Sequence, residues 1–253
     1  MDFLGQTVIV TGAGQGLGRA IAKVFAKRGA NLVINGRTKS KLDVVEAELK
    51  ALGAKVAVLV ADVAKRPDCD ATVALAEKEF GRIDVLINNA QAGAEAGTKV
   101  LALTDEKFNL VFGSGAMGTL YMMQACHPIM KRGGGGSIVN FGSSTGITGD
   151  VGFGGYVMNK EAIRGLSRVA ANEWGGDGIR VNVVCPSAMT EAAEIFAKDH
   201  PEAFARVLKD IPLRRMGDPE MDIAGAVAAL AGPDFIYVSG QTLQLDGGRL
   251  TFP

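Results

Sequence analysis

The chain has 253 residues, 47% of them hydrophobic and 21% charged, with 27 basic side chains balancing 27 acidic ones. At this length a core buries about three quarters of the surface the unfolded chain exposes, so neither a disulfide nor a metal staple is required. The balanced charge, with no dense Lys/Arg cluster, argues against nucleic-acid or anionic-membrane partners, and no segment reaches the roughly 18 apolar residues of a membrane span.

Short Val- and Ile-rich runs alternate with segments of helical period from end to end. In chain order, strand Thr7–Val10 leads to helix Gly16–Arg28, strand Asn31–Ile34 to helix Lys39–Leu52, and strand Lys55–Val60 to helix Pro67–Phe80. Strand Ile83–Ile87 precedes a long helix Thr104–Lys131, and strand Ser137–Phe141 precedes helix Tyr156–Trp174. Strand Ile179–Val184, helix Pro219–Ala231 and strand Thr242–Leu245 complete the series. Most runs lack strict alternation, as expected for strands covered on both faces. Repeated strand–helix–strand units with right-handed crossovers predict an α/β fold: a Rossmann-like, doubly wound parallel sheet of about seven strands with helices on both faces. Loops are short and no linker divides the chain, so residues 1–253 read as a single domain. Between Val184 and Pro219 lie over thirty residues, too long for a plain connection, and Glu191–Leu208 within them is weakly helical. An excursion at about residues 187–216, leaving the carboxyl end of a strand, is expected to cover substrate.

Cys69, Cys126 and Cys185 show no paired spacing and read as reduced, buried thiols of a cytoplasmic protein. Asp2 stands where a secretory leader would be basic, in keeping with that location. His127 and His200 lack ligand-spaced neighbours, so no metal site is expected.

The first strand ends in Thr11-Gly12-Ala13-Gly14-Gln15-Gly16-Leu17-Gly18, and a helix follows at once. Glycines there permit a sharp turn and bring backbone N–H groups against a pyrophosphate, with the helix dipole adding favourable charge. The spacing is T-G-x-x-x-G-x-G. The second strand ends in Asn35-Gly36-Arg37-Thr38-Lys39, with two cations and no carboxylate to hold a ribose 2′-hydroxyl. Arg37 and Lys39 would attract a 2′-phosphate, which predicts NADP(H) over NAD(H).

Tyr156 and Lys160 are four residues apart at the start of a helix, so both project from one face. A fixed ammonium beside the phenol stabilises its phenolate and is expected to lower its pKa from about 10 toward the working range. Ser143 and Ser144 follow the preceding strand, and a hydroxyl there can donate to a carbonyl oxygen as negative charge develops on it.

Taken together these features resemble the short-chain dehydrogenase/reductase family, in the branch of about 250 residues, over essentially the whole chain. The resemblance extends to Asp62-Val63, to Asn88-Asn89-Ala90 after the fourth strand, to Pro186 with Thr190, and to Ser239-Gly240-Gln241 and Asp246-Gly247-Gly248 near the end. It implies Tyr156 as general acid/base, Ser143 orienting the substrate carbonyl, and Lys160 holding the nicotinamide ribose. It further implies cofactor contacts from Gly12, Gln15, Gly16, Leu17, Gly18, Arg37, Asp62, Val63, Asn89, Ala90, Tyr156, Lys160, Pro186, Ser187, Met189 and Thr190. The implied activity is NADP(H)-dependent interconversion of a ketone and a secondary alcohol by a homo-oligomer, a tetramer or a dimer. Residues 93–96, 147–153 and 188–204, mostly small or apolar, are expected to line a pocket for an uncharged or weakly polar carbonyl compound.

Three departures stand out. Gln91 and Ser187 occupy positions where relatives usually have glycine. Many relatives also carry an Asn in the long helix after the fourth strand, holding a water that relays protons to the lysine; Gly115 falls at that position. Interior helix glycines cost about 1 kcal/mol each, so Gly113-Ser114-Gly115-Ala116-Met117-Gly118 predicts a kink or a close helix contact. Such a distortion would let Ser114 or a second water stand in for the Asn, and Gly115→Asn would alter the pH profile more than it creates activity. The alternative is a cofactor-binding subunit or regulator whose catalysis is impaired.

Overall fold

The β-branched runs pair as strands β1 (Thr7–Val10), β2 (Asn31–Gly36), β3 (Val56–Val60), β4 (Val85–Asn88), β5 (Gly136–Phe141), β6 (Ile179–Pro186) and β7 (Thr242–Leu245). They form one sheet in the order β3-β2-β1-β4-β5-β6-β7, parallel throughout. This computed structural model describes residues 2–93 and 97–251; residues 94–96 of the expected pocket and the Phe252-Pro253 tail lie outside the described residues.

Successive side chains of β1 explain the unbroken apolar run. Val8 and Val10 face a core built with Ile21 and Phe25 of helix α1 (Gly16–Lys27), Leu42 and Leu49 of α2 (Lys39–Ala51), and Val227. Ile9 points to the opposite core, with Cys69 and Val73 of α3 (Arg66–Phe80) and with Met122 and Met130. Each such buried aliphatic contributes about 1.5–3 kcal/mol, which holds helices on both faces. Because β1 lies between β2 and β4, the connecting helices diverge there and open a crevice at the strands' carboxyl ends.

The expected long helix Thr104–Lys131 is divided. It runs as α4 (Asp105–Phe112), a π-turn over Gly113–Met117, and α5 (Gly118–Arg132). The glycine cluster thus marks the predicted distortion. A short helix α6 (Ser144–Thr148), not anticipated, precedes α7 (Gly154–Trp174). The excursion after β6 holds two helices, α8 (Glu191–Asp199) and α9 (Pro201–Asp210), where one weak helix was expected. They separate at His200, which Pro201 excludes from helical geometry. Met189 donates to the Gly217 carbonyl and Gly217 to the Ser187 carbonyl, each at 2.9 Å, closing the excursion at its base. The last predicted helix begins as a π-turn, Pro219–Ala224, capped by Asp218, and continues as α10 (Gly225–Ala231). Half-buried Arg180 of β6 donates to the Leu230, Ala231 and Val238 carbonyls at 3.0, 3.0 and 3.2 Å, tying the sheet to the end of α10. No helix among the described residues is long and apolar enough to cross a membrane.

Candidate active site

At the β1–β4 crevice lies a cleft of about 460 Å³. Its floor is the glycine-rich turn. Gly12 has φ +66°, and a Cβ there would come 2.8 Å from the Ala90 Cα; at Gly18 a Cβ would lie 2.4 Å from the Gly12 carbonyl oxygen. Thr11 Oγ1 accepts the Asn89 and Ala90 backbone N–H groups at 3.1 and 3.0 Å, stitching the turn to the end of β4. Asn89 Nδ2 donates to the Thr11 and Gly12 carbonyls at 2.9 and 3.3 Å, so its side chain braces the turn. Asn35, which sequence reasoning did not single out, accepts the Gly12 N–H on Oδ1 at 3.2 Å and donates from Nδ2 to Thr72 at 3.1 Å. An Asn inside an otherwise apolar, fully buried strand was the available signal.

Gly12, Gln15, Gly16, Leu17, Arg37, Asp62, Val63, Asn89, Ala90 and Thr190 all line the cleft, whereas Gly18 lies beneath it. Pro186, Ser187 and Met189 lie at and beyond the end of β6, outside the cleft wall. Of the two expected cations only Arg37 reaches the cleft. Lys39 pairs with Asp43, one helical turn on, at 2.8 Å. Its place is taken by Lys41, which lines the cleft and donates to the Gln15 side-chain carbonyl. The backbone cradle, where a Cβ would collide, and the cations at its rim fit a dinucleotide diphosphate. Gln91 also lines the cleft; both its amide atoms are buried without a partner among the described residues. No group of three or more His, Cys, Asp and Glu side chains that could hold a metal occurs among the described residues.

The three expected catalytic residues converge from the start of α6 and from α7. Ser143 caps α6, accepting the Thr145 N–H on its hydroxyl at 3.2 Å, and its side chain lies close enough to Tyr156 to favour the phenolate. Lys160 is buried and donates from Nζ to the Phe141 carbonyl at 2.8 Å, with Nζ 5.5 Å from the Tyr156 ring centre. Burial raises the Tyr156 phenol above its ordinary value, and the Ser143 hydroxyl only partly opposes this. This corrects the expected lowering by lysine: desolvation penalises the phenolate more than its neighbours stabilise it. Burial also lowers the Lys160 ammonium to about 8. Cys185, buried nearby, is pushed up to about 11 by desolvation and is a poor nucleophile.

Ser114 does not replace the expected Asn. Its hydroxyl donates to the Leu110 carbonyl and accepts the Ala92 N–H, each at 2.9 Å, which commits it to pinning the loop after β4. The space beside Gly115 is filled by Asn159 of α7, so Gly115→Asn has no room without a second change.

A family profile described as enoyl-(acyl carrier protein) reductase matches residues 12–249. The chain is 47% identical to a 12alpha-hydroxysteroid dehydrogenase from a Clostridium species, over 97% of each chain. It is 34% identical to the 3-oxoacyl-(acyl-carrier-protein) reductase FabG of Staphylococcus epidermidis, over 97% of this chain and 99% of that one. Among solved structures, a 7 alpha-hydroxysteroid dehydrogenase complexed with NADH and 7-oxo glycochenodeoxycholic acid superposes with a TM-score of 0.91 at 30% identity, covering 97% of this chain and 94% of that one.

Proposed function

Because the chain belongs to the short-chain dehydrogenase/reductase family and is a nicotinamide-dependent oxidoreductase acting on ketones and alcohols, we propose that it uses NADP(H), with Tyr156 as its general acid/base, on a bulky alicyclic secondary alcohol of the hydroxysteroid class. The observation that carries this reading is the convergence of Ser143, Tyr156 and Lys160 at the start of α7, in a fold that also builds a cleft on a glycine cradle, although none of the three lines that cleft.

When bound, the nicotinamide supplies the hydride, or accepts it in the reverse direction. The first-turn amides of α1, with the close-packed backbone at Gly12, would hold the diphosphate. Arg37 and Lys41 offer two cations at the end of β2 and the start of α2, with no carboxylate between Ile34 and Lys41 to repel a 2′-phosphate. Ser143 donates to the substrate carbonyl as negative charge grows on its oxygen. Tyr156, kept neutral by burial, gives its proton to that oxygen in reduction and takes it back in oxidation. Lys160, held on the Phe141 carbonyl, sets a positive charge behind the phenol. The excursion over residues 187–216, which meets the cleft at Thr190 and Glu191 and carries exposed Ile195 and Phe196, gives an apolar cover suited to a steroid-like substrate. The hydroxysteroid dehydrogenases at 47% and 30% identity support that class. We place the enzyme in the cytoplasm, on the strength of its three free, buried cysteines, and infer a homo-oligomer, a tetramer or dimer.

Turnover of a panel of hydroxysteroids and simple ketones, measured with both cofactors, tests the proposal. Oxidation of a hydroxysteroid with a higher kcat/KM for NADP than for NAD is the expected result. Activity confined to small acyclic ketones would overturn the substrate class, and an NAD advantage would overturn the cofactor assignment.

A further inference from the structure

The π-turn between α4 and α5 contains one position with no room for a side chain. A Cβ at Gly115 would lie 2.3 Å from both Nδ2 and Oδ1 of Asn159, closer than such contacts come. Asn159 is fully buried on α7, directly before Lys160 and three residues after Tyr156. Its Oδ1 accepts the Ala116 backbone N–H at 2.7 Å. The wider winding of a π-turn leaves a backbone donor to be matched from elsewhere, and Asn159 supplies the acceptor. Its Nδ2 is buried without an acceptor among the described residues, a costly state for a residue kept only for packing.

The same turn reaches the cleft. Ser114 holds the loop after β4 through the Ala92 N–H, and Gly118, at the start of α5, packs so closely on Val63 that a Cβ there would meet its side chain and carbonyl at 3.0 Å. The turn and the first residue of α5 together therefore touch the catalytic helix on one side and two segments of the cleft wall on the other.

We propose that Asn159 is a positioning residue: its amide, seated beside Gly115, locks α7 onto the π-turn and so sets where Tyr156 and Lys160 stand relative to the cleft. The amide expected at position 115 thus arrives from the facing helix. This inference rests on the oxidoreductase reading above, and its test separates the two.

Three variants are compared with wild type in turnover and in denaturant unfolding: Asn159→Ala, Gly115→Asn, and both together. Asn159→Ala should lower kcat about 100-fold, as small misplacements of reacting groups do, with little change in the KM for cofactor. Gly115→Asn alone should lower both kcat and the unfolding midpoint, because two amides compete for one space. The double variant, which returns a single amide to the gap, should exceed Gly115→Asn in both readouts, by about tenfold in kcat. Wild-type kcat in Asn159→Ala, or strictly additive effects in the double variant, would overturn the proposal. If Asn159→Ala does not fold, Asn159→Ser takes its place. Should wild type turn over none of the ketones and alcohols, the function proposed above fails; the unfolding midpoints then decide the inference alone, non-additivity supporting it and additivity overturning it.

Discussion

Lys160, close to Tyr156, bears a large desolvation cost. Its side chain is buried with one backbone acceptor, and desolvation lowers its pKa from 10.5 to about 8. The unfolded chain therefore binds more protons between those two values, so this residue's contribution to stability rises as pH rises from about 8 to 10.5. A shift of that size corresponds to about 2–4 kcal/mol when fully developed. Lys160→Met abolishes the titration. Denaturant unfolding at pH 7.5 and 10 should show wild type gaining on the variant at the higher pH; equal differences at both would contradict the burial described here. Tyr156 itself was legible in the sequence, but the direction of its shift was not. Spacing shows that an ammonium is near, whereas the balance between that charge and desolvation depends on how deeply both are packed.

At the scale of elements, the turn between β1 and α1 is closely constrained by its own backbone. A methyl at Gly18 would meet the Gly12 carbonyl oxygen at 2.4 Å and Asn89 Nδ2 at 2.6 Å. Gly18→Ala should thus cost about 1–3 kcal/mol in unfolding, as overpacking does, and weaken binding of the reduced nicotinamide cofactor measured by fluorescence titration. Retained stability and affinity would mean the turn is looser than its contacts indicate. The strands could be read because burial on both faces writes a continuous apolar run, as in Val8-Ile9-Val10. The glycine turn could be read because its spacing is local. Lys41 escaped because the phase of α2, not the end of β2, decides which cation faces the cleft. Asn159 escaped for a different reason: Gly115 read as a missing group, and its complement lies on another helix. The single helix expected over residues 104–131 and the one over 191–208 were each divided by features with local signs, a glycine cluster and Pro201, whose consequences for direction are tertiary.

For the molecule as a whole, the solvent face of α7 is unlike that of an isolated globule. Met158, Ala162, Gly165 and Val169 recur at helical spacing, and Met158 and Val169 are each more than half exposed, as is Leu110 of neighbouring α4. Such a stripe is what a helix-to-helix contact between copies requires. Val169→Glu should shift the sedimentation of the protein to a smaller species while leaving the circular dichroism of the fold unchanged; identical sedimentation would place any assembly on another face. The contact between Gly115 and Asn159 couples two positions far apart in sequence. Ala116 and Asn159 are 43 residues apart in the chain, yet a side chain at 115 and the amide at 159 compete for one space. A substitution at either position therefore takes its effect from the residue that stands at the other.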